Sequence, residues 1–272
     1  MAVAAGSGAA VPASTPIGPR ELTLREAALL NDAEQLLIKQ CMRQGGFAYW
    51  VVEAAPPPDF PYVLADVNVA QAHGYGTVVS RRNSPHPNQV HGMSLSLDRR
   101  QAWLAAIHGR LTDGQFEATL PSGGVVRHST RGCTSQAQQQ LYGDARTWFR
   151  VKEIKANLRA VKQDAVGGDP AFVTAMAGWA DCMRGRGQVF RSPGEIRAVL
   201  DRSRQEGTED RWRRAAVAEA TCARRTGLSA TAHSLDRHYE QRLHAEYREE
   251  LTTWRRLALS ALPRARTITA FP

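Results

Sequence analysis

Four cysteines and eight histidines are the residues best suited to redox, metal or acid–base work, and their spacing separates these chemistries. Cys41, Cys133, Cys182 and Cys222 include no C-x-x-C pair and lie far apart in sequence, which is not the spacing of a zinc site. Two of them sit in a phrase that occurs twice. Cys41-Met42-Arg43 with Gly46 and Tyr49, and Cys182-Met183-Arg184 with Gly187 and Phe190, both read C-M-R-x-x-G-x-x-aromatic. Each copy is followed by one further cysteine, which suggests two modules with one bridge apiece, Cys41–Cys133 and Cys182–Cys222. Each bridge would contribute about 3–4 kcal/mol by constraining the unfolded chain. Buried free thiols are the alternative reading. The phrase itself reads as structure: cysteine near a helix end forms the bridge, Met packs beneath it, Gly ends the helix and the aromatic folds back. An arginine in a last turn also suits the helix dipole.

The histidines invite a metal and mostly defeat it. His233 and His244 share a face of one helix but lie three turns apart, and His233 and His238 point apart. A composite of His73, His86, His91 and His128 is the remaining combination, so no metal and no cofactor are expected. The 55–96 loop region with the hairpin is the expected contact surface, and within it 75–92 is a long irregular stretch with HGYG, RRNSPHPN and QVHG in and around it. His73, Tyr75, His86 and His91 are its candidate ligand-binding residues. No G-x-S-x-G elbow, P-loop or G-x-G-x-x-G is present, and catalytic residues remain unknown. Glu246, Glu249 and Glu250, flanked by Arg242, Arg248 and Arg255, read as surface ion pairs and not as an acid/base couple.

The elements that must hold these residues are mainly helical. Thr23 and Glu26 make a capping box for a helix over 22–44, with Ala27, Leu30, Ala33, Leu37 and Cys41 on one face and Gly45-Gly46 at its end. FAYWVVEA (47–54) reads as a strand, AAPPPDFPY as a polyproline-like connector, and 64–74 as a short helix capped by Gly74. A helix over 97–109 precedes a hairpin, QFEATL-PSGG-VVRHS, and Gly132-Cys133 opens another helix. A long helix from Asp144 to about Ala165 joins the halves, and Asp169-Pro170 starts the next. Ser192-Pro193 begins a further helix, EDRWRRAAVAEATCARRTG runs to Gly227, and a last helix of about 30 residues is expected from Ala230 to Ala261. The fold class is therefore mainly α with a minor β part. Residues 1–20 form a leader, 21–145 an N-terminal α+β module and 146–272 a C-terminal helical module, each module stapled by a disulfide.

Composition narrows the partners. The formal charge of +9 arises from 31 Arg and 4 Lys, dispersed as pairs such as Arg81-Arg82 and Arg213-Arg214, with no long like-charge block. That pattern argues for solvated helix faces over a nucleic-acid surface. No stretch approaches the roughly 20 apolar residues of a membrane helix. The opening MAVAAGSGAAVPASTPIGPREL is rich in small residues, and Val11-Pro12-Ala13 resembles a cleavage site, so it reads as the remnant of a secretory signal or a flexible leader.

Taken together, the two CMRxxG phrases, the Trp179-Ala180-Asp181-Cys182-Met183 lead-in, Cys133 before Leu141-Tyr142-Gly143, and AEATCARRTGL from Ala218 to Leu228 resemble a group of exported proteins and lipoproteins of actinobacteria. The resemblance covers most of 28–262 and implies location and architecture, with no activity attached. This chain departs from the lipoprotein members in having no lipobox cysteine near its start. The expected function is an exported, disulfide-stabilised helical binding protein, extracellular or at the cell surface. Its partner would be a peptide, a small molecule or an envelope component, and an accessory or immunity role in a specialised-metabolite pathway is one version. The alternative is an enzyme with a His/Tyr/Arg site in the 73–91 region.

Overall fold

The computed structural model describes residues 19–52, 61–75, 86–202 and 209–270. The leader up to residue 18, the connector over 53–60 and the loop residues 76–85 lie outside them. The described chain is mainly helical, with eleven α-helices and one two-stranded antiparallel hairpin. In order these are α1 (Leu24–Gln44), α2 (Val67–His73), α3 (Pro87–Ser94), α4 (Leu97–His108), β1 (Gln115–Thr119), β2 (Val125–Ser129), α5 (Cys133–Tyr142) and α6 (Ala145–Gly168). There follow α7 (Pro170–Arg184), α8 (Pro193–Arg202), α9 (Glu209–Arg225), α10 (Leu228–Glu246) and α11 (Arg248–Ala270).

Two disulfides hold the scaffold, Cys41–Cys133 and Cys182–Cys222, with Cα–Cα distances of 5.5 and 5.7 Å. Each of the two repeated phrases ends its helix with the same turn. Phe47 N–H donates to Met42 C=O at 2.9 Å and Gln188 N–H to Met183 C=O at 3.0 Å, while Gly46 and Gly187 take φ of 74° and 73°. This is the six-to-one closure of a Schellman turn, and it needs a residue that accepts positive φ. Met42 and Met183 are fully buried beneath the two turns.

Each disulfide belongs to its own core. The first core gathers Leu30, Leu37 and Met42 of α1, Trp103 and Ile107 of α4, Cys133 and Leu141 of α5, Trp148 and Val151 of α6, and Leu257, Ala261 and Ala265 of α11. The second gathers Trp179 and Met183 of α7, Ile196 of α8, Trp212, Ala216 and Cys222 of α9, and Leu228 and Ala232 of α10. Tyr62, Val63, Ala70 and Tyr75 join it from the N-terminal half of the chain. Helix α6 spans both, with Trp148 in one and Val166 in the other. The chain thus crosses between cores: 61–75 straps onto the second, and α11 returns to the first.

Three local expectations differ from what forms. Residues 47–52 make no strand, because side chains answer their backbone groups instead. Asn88 accepts from Trp50 N–H at 2.9 Å and donates to Trp50 C=O at 2.8 Å, and Trp103 Nε1–H donates to Ala48 C=O at 2.9 Å. The expected irregular stretch ends in a helix, α3, started by Pro87 at its first turn. The single last helix is two. The break falls at Tyr247, where φ −102° and ψ 32° turn the chain, and Tyr247 packs on the small cluster of Leu158, Leu243 and Leu251. Helix α11 then passes through Pro263 to Ala270, since burial of Ala265 against the first core outweighs the one backbone donor that proline lacks.

The entry to α5 is set by a close crossing of two glycines. A Cβ on Gly132, at φ 105°, would lie 2.4 Å from Gly109 N and 2.7 Å from His108 C, both backbone atoms that cannot step aside. Gly132→Ala should therefore destabilise the protein by about 3 kcal/mol. Gly123→Ala, at φ 88° in the open hairpin turn with nothing within 4 Å, should cost only the strain of about 1 kcal/mol. Urea titrations of the two variants separate the contributions, and equal losses would show that the crossing is not tight.

Candidate functional site

The residues singled out from sequence sit on different elements and differ in burial. Tyr75 is buried in the second core. His73 is exposed in the last turn of α2, and His86 is exposed at the N-cap of α3 with no side-chain capping bond. His91 lies against the first core, its ring 4.9 Å from Trp50 and 5.9 Å from Trp103. His128 sits in β2, stacked on Phe149 and 6.2 Å from His108, and burial lowers the pKa of both imidazoles. Among the described residues no group of three His, Cys, Asp or Glu is arranged to hold a metal.

Tyr75 instead leads to a buried carboxylate. Glu219 of α9 is fully buried, on the face that carries Trp212, Ala215, Ala216, Cys222 and Ala223. Its Oε2 accepts from the Tyr75 hydroxyl at 2.5 Å, and its Oε1 accepts from Leu64 N–H at 2.7 Å. Arg197 Nη2 of α8 stands 3.7 Å from Oε1, and the same side chain donates to Pro61 C=O. Burial pushes the Glu219 carboxyl above its ordinary value of 4.5, against the pull of Arg197. Burial first, and then the neighbouring carboxylate, push the Tyr75 phenol up as well. One side chain on α9 therefore ties down both ends of the 61–75 strap and reaches α8.

Above this node, on the outer side of α9, lies a cleft of about 410 Å³. Three separate pieces of chain build it: Gln71 from α2, Arg186 and Gln188 from the turn that ends α7, and Asp210, Arg213, Arg214, Val217 and Ala218 from α9. The strap meets α9 closely here, since a Cβ on Gly74 would stand 3.4 Å from Arg213 Cα. Val217 and Ala218, immediately before Glu219 in the chain, give an apolar floor, and the arginines and glutamines form a polar mouth. Among the described residues the lining carries three guanidiniums and one carboxylate, a formal net charge of +2. Among those same described residues it contains no Ser, Thr, Cys, Tyr, His or Lys, and it offers guanidinium and amide donors beside the Asp210 carboxylate.

Sequence reading passed over Glu219, although a signal existed: a carboxylate three and four residues from Ala216, Ala215, Cys222 and Ala223 stands on an apolar stripe, where an acid requires partners. The cleft had no such signal, because its residues come from positions 71, 186–188 and 210–218. Among the described residues no helix is long and apolar enough to cross a membrane. Compared with known proteins, the chain matches no family model, no curated protein and no solved structure.

Proposed function

We propose that the chain is an exported, disulfide-stapled binding protein of actinobacterial type, acting outside the cell or at its surface, and that it holds a small ligand in the cleft between α2, the turn after α7 and α9. The observation that carries this is the way the cleft is built. Its turn follows directly on the disulfide-bonded Cys182, its long wall carries the partner Cys222, and its third side is pinned by Glu219. A site whose three described sides are pinned before the ligand arrives avoids much of the ordering cost that weakens binding by loose loops. The volume lies within the range of small-molecule pockets. Two disulfides suit an oxidising compartment.

The test is a thermal-shift panel of cationic, neutral and anionic small molecules on the oxidised protein, repeated with Gln71→Trp to fill the cleft at its rim. At least one chemical class is expected to raise Tm, by the amount that ligand excess over Kd dictates, and the gain should vanish in the filled variant. A panel that moves nothing, or a gain that survives Gln71→Trp, would sink the proposal.

A further inference from the structure

We infer that the second copy of the repeated phrase is the binding copy, and that its ligand presents a dianionic oxyanion group, such as a phosphomonoester or a dicarboxylate, to the guanidiniums of Arg186, Arg213 and Arg214. This rests on the reading of the cleft as a ligand site. The two copies share their cysteine, methionine, arginine and glycine and the same closing hydrogen bonds, so they differ in what their turns display. The fifth and seventh residues of the phrase are Gly45 and Phe47 in the first copy and Arg186 and Gln188 in the second. In the first, Phe47 packs against the core, and Arg99 covers it from 4.4 Å above the ring while donating to Gly46 C=O at 2.9 Å. That turn is closed by the chain's own cation. In the second, the equivalent positions face the cleft and bring a cation and an amide to it.

Charge points to the ligand. Some surface arginines stand against carboxylates, as Arg127 does with Glu117, Arg184 with Asp181 and Arg150 with Glu250, and among the described residues many others stand alone; what sets the cleft apart is that three lie together along one lining. Among the described residues none of Arg186, Arg213 and Arg214 has a carboxylate within ion-pair distance, although all three line one cleft. Like charges gathered there repel one another, and an anion removes that cost. A phosphomonoester carries about −1.5 to −2 at neutral pH and takes bidentate guanidinium bonds, which matches a lining of net +2. A single carboxylate would leave about half of that charge unanswered.

The experiment is titration calorimetry with inorganic phosphate, glycerol 3-phosphate and succinate as dianions, and with acetate and glycerol as monoanionic and neutral probes, at one ionic strength. Dianions are expected to bind at least tenfold more tightly than acetate, with glycerol silent, and the order of phosphate and succinate shows which oxyanion fits. Arg213→Gln, and Arg186→Gly, which installs the first copy's residue, should each weaken binding at least tenfold, whereas Arg43→Gln in the first copy should leave it unchanged. Melting curves confirm that the variants fold. Dianion binding that ignores Arg186→Gly would overturn the inference. So would a neutral or cationic probe that binds where dianions do not, and in that case the cleft stays a ligand site and only the anion falls. If no probe binds and the wider panel moves nothing, both readings fall.

Discussion

Glu219→Leu should lower the free energy of unfolding by about 3–5 kcal/mol, since it deletes one member of a buried polar node and leaves the others without it. The Tyr75 hydroxyl and the Leu64 amide would lose their acceptor, and Arg197 would lose the carboxylate 3.7 Å away. Glu219→Gln keeps the shape and one acceptor, so it should cost about 1–2 kcal/mol. The pair of variants also separates charge from shape. Burial holds the Glu219 carboxyl above 4.5, so the folded protein binds that proton more tightly than the unfolded chain does. Its contribution is therefore fully present below the unfolded value and is lost as pH rises through the raised folded value. Urea titrations at pH 4 and pH 8 should show wild type gaining on Glu219→Gln at the lower pH. If leucine proves milder than glutamine, Glu219 does not organise the strap. Loss of the strap should also abolish ligand-induced stabilisation, because Gln71 leaves the cleft with α2.

Removing Cys41–Cys133 with paired alanines should be the more damaging of the two disulfide deletions. The bridges close loops of 92 and 40 residues. The loop-closure relation gives about 4.6 and about 3.9 kcal/mol for these lengths. A buried location adds to the second, since Cys222 is fully enclosed, but alanine fills most of that space. Unfolding midpoints of Cys41→Ala/Cys133→Ala and Cys182→Ala/Cys222→Ala, each with and without reductant, check both the order and the sizes. Reductant should erase the remaining bridge's contribution in each variant. A midpoint indifferent to reductant in the wild-type protein would mean that the bridges do not stabilise it.

Both disulfides, the mainly helical fold, the hairpin and most helix boundaries were legible in the residues, and for physical reasons. The capping box of Thr23 and Glu26, Asp169 before Pro170, and glycines past the last helical turn act within a few positions of where they stand. What was not legible depends on distant chain. Residues 47–52 have strand composition, yet Asn88 and Trp103 claim their backbone groups, and composition carries no trace of that. The break at Tyr247 interrupts a helical period without altering it, because Leu243, Tyr247 and Leu251 keep their spacing through the turn. The candidate residues were chosen for chemical type, and type says nothing of burial: Tyr75 lies within the second core, while the His91 ring rests against Trp103 of the first. The cleft needs Gln71, Gln188 and Arg213 side by side, and only the strap's crossing brings the first of them there.

That crossing also governs the order in which the molecule can be finished. A chain delivered from its N-terminus presents α1, α4 and α5 early, yet their shared core lacks Leu257, Ala261 and Ala265 until the final helix arrives. Tyr62 and Tyr75 likewise wait, solvent-bathed, for α9 to be made. Among the described residues the second core draws on nothing beyond Tyr239 and can close once α10 is made, whereas the first stays open until α11 follows. The part synthesised first is completed last.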